Sequence, residues 1–197
     1  MVFPYICRAV LISVLCACAA SPSIAAERVV AYVTGWEKPP DIPAAKLTHI
    51  NYAFARIDAE GQAILPHPGA AGNLALLRSL KVKNPELKIL ISVGGWEAEG
   101  FSDAAVSKAS REKFARSVVM LLREHSLDGV DLDWEYPGQS VSGIKSRPQD
   151  KQNFTALLRE VRAQLGDRYL RRLPPPIAST SSSRRWTGCT SISTGST

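Results

Sequence analysis

The sequence predicts an α/β fold built on a parallel sheet. From Glu27 onward, strand-like apolar runs alternate with segments whose apolar residues recur at helical spacing. One run, Gly129 to Glu135 (GVDLDWE), alternates apolar and acidic residues in the period-two manner of a strand. Together these features give four β-α units.

The units follow in order. Arg28 to Thr34 (RVVAYVT) is β-branched and reads as the first strand, followed by a short irregular connection over Pro39 to Lys46. His49 to Ile57 (HINYAFARI) is the second strand, in which Phe54 reads as core. Asn73 to Lys83 carries Leu74, Leu77 and Leu80 on one helical face. Lys88 to Val93 (KILISV) is the third strand, closed by Gly94-Gly95. Arg111 to His125 places Phe114, Val118, Leu121 and Leu122 on one face of a second helix. Gly129 to Glu135 is the fourth strand. A final helix is expected with Asp150 as its cap, a stripe of Phe154, Leu157, Leu158, Val161 and Leu165, and Gly166 past its end.

The fourth strand carries the chemistry. Asp131, Asp133 and Glu135 stand at i, i+2 and i+4, so a strand presents all three on one face. Adjacent acids on that face lie roughly 7 Å apart. Three charges so close repel, which predicts that at least one titrates near neutral pH. Val130, Leu132 and Trp134 point the other way, into packing. Asp128 has the opposite parity and is expected to hydrogen-bond at the strand entrance.

The net charge of +6 is misleading. All 18 acids lie between Glu27 and Asp167, one of the 24 Lys and Arg precedes them and four follow Leu170, so 19 basic residues face 18 acids in the body. No basic face for nucleic acid is apparent. His49, His67 and His125 have no metal-ligand spacing, and no cofactor is implied.

The two ends differ from the body. Arg8 is the only charge before Glu27, Ala9 to Ala20 is apolar but short for a bilayer, and Ser23-Ile24-Ala25 fits a small-x-small cleavage rule. Residues 1–25 are therefore expected to be a secretory signal peptide, with no stable membrane insertion after cleavage and a secreted or periplasmic product. A membrane anchor and lipidation at Cys18 are the alternatives. Cys7, Cys16 and Cys18 leave with the signal, and Cys189 alone remains, so no internal disulfide is expected. After Leu170, residues 171–197 hold no acid, seven Ser and five Thr, with no periodic apolar face. Codons for Trp186 to Thr197 exist whose one-nucleotide shift reads MDRLHEYLDWIN, a helix-to-strand pattern. The tail is accordingly expected to be a shifted reading frame, or else a disordered extension.

Asp128-Gly129-Val130-Asp131-Leu132-Asp133-Trp134-Glu135 has the form DGxDxDxE and resembles the signature of family 18 glycoside hydrolases, the chitinases and their relatives. Ser92-Val93-Gly94-Gly95 is similar to that family's SxGG motif, and Tyr32 matches a family tyrosine on the first strand. The resemblance covers about residues 28–170 and implies the N-terminal half of a (β/α)₈ barrel with its site at the carboxyl ends of the strands. It implies Glu135 as the general acid and Asp133 as the group orienting the substrate's acetamide. Asp131 would share a proton with Asp133, with Tyr32 and Ser92 hydrogen-bonded to it. The nucleophile would be the substrate's own N-acetyl oxygen.

Gly94 and Gly95 are expected to let the backbone turn sharply and a sugar approach closely, and Trp96, Tyr136 and Trp36 to stack on sugar rings. The implied partner is chitin or N-acetylglucosamine oligosaccharides. A non-catalytic, lectin-like chitin binder and an endo-β-N-acetylglucosaminidase are the alternatives, and the presence of Glu135 favours an enzyme. A (β/α)₈ barrel takes about 250 residues, and the family's later tyrosine and tryptophan have no match in this sequence. The chain as written is therefore expected to be unstable and nearly inactive.

Overall fold

The computed structural model describes residues 27–35, 38–39, 41–141 and 143–170. The leader with Cys7, Cys16 and Cys18, the tail with Trp186 and Cys189, and Trp36 lie outside the described residues. In chain order the elements are β1 (Val30–Thr34), β2 (His49–Ile57), β3 (Ala63–Ile64), α1 (Ala70–Ser79), β4 (Lys88–Gly94), α2 (Phe101–Val106), α3 (Lys108–Glu124), β5 (Gly129–Asp133) and α4 (Asp150–Leu170).

The parallel strands stand in the order β1-β2-β4-β5, and β3 adds an antiparallel pair to β2. Each parallel strand lies beside its predecessor, with no reversal of direction across the sheet. A sheet that advances this way keeps its connecting helices on one side and curls, as the strands of a barrel do. Ile50, Tyr52, Ile89, Ile91 and Val130 form one buried cluster with Leu74 and Leu77 of α1, Phe114, Val118 and Leu122 of α3, and Leu157 and Val161 of α4. Each large side chain buried there contributes roughly 1.5–3 kcal/mol. Leu90, Asn51 and Ser92 are buried outside that cluster, on the opposite face. Among the described residues β1 and β5 each have one strand neighbour, so the arc is open.

Local chemistry moves several expected boundaries. β1 begins at Val30, because Thr48 closes the strand's mouth: the amides of Thr48 and His49 both donate to the Val29 carbonyl. α1 starts at Ala70 and tightens into a 3-10 turn over Leu80–Val82, instead of running from Asn73 to Lys83. α3 starts at Lys108 because Ser107 and Ser110 form a reciprocal capping box, each side chain meeting the other's amide at 3.1 Å. Asp150 lies inside the first turn of α4 and accepts backward, from the Arg147 amide at 2.7 Å and the Ser102 hydroxyl at 2.9 Å. Gly166, at φ 59°, interrupts α4 where its expected end falls. β3 and α2 were not expected.

β5 ends at Asp133, two residues before the expected Glu135. Two contacts stop it. The Gly95 amide donates to the Asp133 carbonyl at 2.9 Å. The Trp134 ring then stacks on Phe101 of α2, 5.2 Å between centroids and 8° from parallel, with Phe154 edge-on at 5.4 Å. Trp134 is thus core, as its parity requires. Glu135 and Tyr136 follow on the turn beyond.

Candidate active site

The acids belong to a face that the register of the sheet assembles. Thr34, Ala53, Ser92 and Asp131 stand side by side across the four parallel strands, with Tyr32, Asn51, Leu90 and Gly129 one layer below and Gly94 beside Asp133 above. Residues from separate strands therefore converge through pairing alone.

Asp131 is the centre of a hydrogen-bond cluster. Ser92 Oγ donates to Asp131 Oδ2 at 2.6 Å, and the Tyr32 phenol donates to the same oxygen at 3.1 Å. Burial raises the Tyr32 phenol above its usual range, and the Asp131 charge adds to it, so the phenol stays a donor. Asp133 is half-buried one layer higher. Burial pushes its carboxyl up to about 6, with the charges of Glu135 and Asp131 pushing the same way. Glu135 stands at the mouth, and the Tyr136 phenol hydrogen-bonds it; the Glu135 charge raises that phenol too. The repulsion expected of the acid row is thus visible at Asp133.

Tyr136 is 45% exposed and Trp96 52% exposed, both just past the carboxyl ends of their strands. Trp36 lies outside the described residues.

The two glycines turn the backbone, as expected, and serve packing as well. A Cβ at Gly94 would lie 2.1 Å from the Asp133 carbonyl oxygen and 2.9 Å from the Phe101 ring, and one at Gly95 would lie 2.9 Å from the Phe54 ring. Both have positive φ, 123° and 87°. The protein's own packing thus demands glycine at both positions. Phe54 also departs from expectation. It is half-buried, the extra residue of a bulge between Ala53 and Ala55, with Arg56 6.0 Å from its ring centre. Arg56 in turn donates to the Gly94 carbonyl at 2.9 Å.

Asn51 is the site residue that sequence reasoning missed. It is 6% exposed and stands beside Tyr32 in the register of β1 and β2. The signal was available: Asn51 is a lone amide in an apolar strand, at the parity that faces the acids.

Asp128 is 2% exposed and ion-paired with Lys81, and it accepts the Ile89 amide at 2.9 Å. It ties the starts of β4 and β5 together on the far side from the acids. Two hollows lie away from the acid row. One of about 340 Å³ is lined by Asp58, Glu60, Glu99, Asp103 and Lys113 among others. One of about 190 Å³ lies by Lys81, Arg123 and Tyr169. Among the described residues no three His, Cys, Asp or Glu side chains are grouped to hold a metal ion.

A sheet that advances strand by strand, with its polar cluster at the carboxyl ends, defines the class: a partial (β/α)₈ barrel, not closed. The chain belongs to the glycosyl hydrolases family 18, whose sequence model matches residues 28–181, eleven residues past Leu170. It is 38% identical over 172 residues to Chitinase A1 of Niallia circulans, a match covering 64% of this chain and 25% of that one. It superposes on the chitinase domain of the spore coat protein CotE from Clostridium difficile with a TM-score of 0.69 and 46% identity, covering 76% of this chain and 42% of that one. A family 18 N-acetylglucosaminidase from Paenibacillus barengoltzii gives a TM-score of 0.65 at 46% identity, covering 74% and 42%. The chain therefore spans a quarter to under half the length of these relatives.

Proposed function

We propose that this chain is the acid-bearing part of a chitinase-type hydrolase that cleaves β-1,4 linkages between N-acetylglucosamine units with retention of anomeric configuration. The observation that carries the reading is the layered row Asp131, Asp133, Glu135, with Asp131 held by two hydroxyl donors and Asp133 raised to about 6.

Glu135, at the open mouth, protonates the glycosidic oxygen as the bond to the anomeric carbon breaks. The substrate's acetamido oxygen attacks that carbon and forms an oxazolinium-like ring. Asp133 accepts the acetamido N–H and offsets the positive charge that develops. Water then opens the ring, with Glu135 taking its proton back, so the enzyme ends as it began. Asp131, held by the Ser92 and Tyr32 hydroxyls, faces Asp133 with its charge. Trp96 and Tyr136, exposed at the strand ends, offer rings to the apolar faces of sugars.

The test is hydrolysis of chitin oligosaccharides by the full-length protein, with product anomers followed by NMR. Glu135→Gln is expected to lower kcat by about 10²–10⁴ while oligosaccharide binding persists. Wild-type binding without turnover would support the lectin-like alternative. Release of intact glycans from a glycoprotein, with no cleavage of chitin oligomers, would support the endo-β-N-acetylglucosaminidase.

The leader pattern supports export, with residues 1–25 removed. N-terminal sequencing of the mature protein is expected to begin at Ala26 or Glu27. A start at Cys18 would mean a lipoprotein.

A further inference from the structure

We propose that Arg147 is a positioning residue for the sugar platform at Tyr136: its guanidinium, gripped by α2, fixes the backbone on which the Tyr136 turn rests. The inference rests on the functional reading above and names a residue which that reading does not use.

The turn lies just past the acids. The Gln139 amide donates to the Tyr136 carbonyl at 3.1 Å and closes it. Gly138, inside the turn, has φ 76°, and a Cβ there would stand 3.7 Å from the Arg147 carbonyl oxygen. The backbone of Arg147 is therefore the surface against which the turn lies.

Three hydrogen bonds hold that residue. The Arg147 amide donates to Asp150 Oδ2 at 2.7 Å. Nη1 donates to the Ser102 hydroxyl at 2.6 Å, and that hydroxyl donates onward to Asp150 Oδ1 at 2.9 Å. Nη2 donates to Asp103. Ser102 is 2% exposed and Asp150 0%, so the inner part of this clasp is shielded from water. A guanidinium suits the place because its donors form a rigid fork, which here spans two neighbouring acceptors on α2. Lys145 adds a second grip. Its Nζ donates to both Asp103 carboxylate oxygens, at 2.8 and 2.9 Å, and its amide donates to the Glu99 carboxylate. Glu99 lies in the segment that follows Trp96, so one clasp joins the two loops that carry the exposed rings.

Glu135 depends on the clasp less. It follows directly on Trp134, whose ring is fixed by Phe101 and Phe154. Loss of the clasp therefore weakens the hold on a sugar more than it weakens proton transfer.

The experiment compares Arg147→Ala, Tyr136→Ala and the double variant in the full-length protein, reading kcat and KM on chitin oligosaccharides and amide hydrogen exchange. Arg147→Ala is expected to raise KM about two- to tenfold, the range of one aromatic stacking contact, with kcat little changed. Exchange at the Gln139 amide should quicken roughly tenfold, the worth of one charge-assisted hydrogen bond, while the Ile89 amide in the sheet keeps its rate. In the Tyr136→Ala background the same change is expected to move KM almost no further. Asp103→Asn, at a side chain 52% exposed, serves where Arg147→Ala does not fold, with a smaller effect in the same direction. A fall in kcat at unchanged KM would overturn the proposal, as would a KM effect of full size without the Tyr136 ring. So would faster exchange at Gln139 and Ile89 alike, because Arg147 would then be a general support of the fold. If the wild-type protein turns over no oligosaccharide, the functional reading fails, and the Gln139 amide still decides whether Arg147 holds the turn.

Discussion

Asp133 holds its proton in a place where an ordinary aspartate has lost it. Its carboxyl sits at about 6 against the usual 3.8, because burial comes with two neighbouring carboxylates. Between those values the folded chain binds a proton that the unfolded chain has released. The resulting stabilisation is complete below pH 3.8 and is lost as pH rises through 6. Asp133→Asn, a neutral isostere, is expected to unfold at a higher temperature than wild type at pH 8. The gap should close as pH falls through 6 towards 4, as thermal melts across that range would show. A gap independent of pH would mean that Asp133 does not carry the shift.

At the scale of elements, two glycines give opposite expectations. Gly94→Ala drives a methyl group into the Asp133 carbonyl at the join of β4 and β5 and strains a backbone at φ 123°. It is expected to cost about 3 kcal/mol or more in denaturant unfolding. Gly72 lies on the exposed side of α1, and no atom stands within 4 Å of its missing Cβ. Gly72→Ala is expected to add about 0.5–1 kcal/mol.

The same contrast explains what the sequence discloses. β2 is legible to the residue because His49–Ile57 is a largely apolar and aromatic run with no Gly or Pro to break it. Tyr32 and Ser92 are legible as partners of Asp131 through the family motifs they match, and the parallel ladder sets them on its face. α2 is too short to show a period: six residues make fewer than two turns, and Phe101 settles there by stacking on a ring that lies 33 positions later. The bulge at Phe54 and the clash that forbids a side chain at Gly94 likewise depend on partners distant in sequence. Asn51 was legible in principle, since its parity marks it, but an amide in a strand has several commoner explanations.

Over the whole arc, the outer strands set the behaviour. β1 presents Val30 at 47% exposure and Tyr32 at 51%, with Val29 at 43% just before it, and among the described residues it pairs only with β2. An apolar, unpaired parallel edge is a template for another chain. Residues 27–170 expressed alone are therefore expected to self-associate at micromolar concentration, with an apparent mass that grows on dilution series run upward in light scattering. A monomer at every concentration would show that this edge is protected within those residues.

Asp128 gives the arc one more property. By gripping Lys81 and the Ile89 amide three positions before Asp131, it acts as a phase mark for the strand that follows. A slip of one residue there would carry every acid round to the helices and every apolar side chain into the cleft. Loss-of-function variants of this protein should thus cluster in two places, at the acids and at a half-buried ion pair that never meets the substrate, and the second group will look like chemistry defects while being errors of register along the chain.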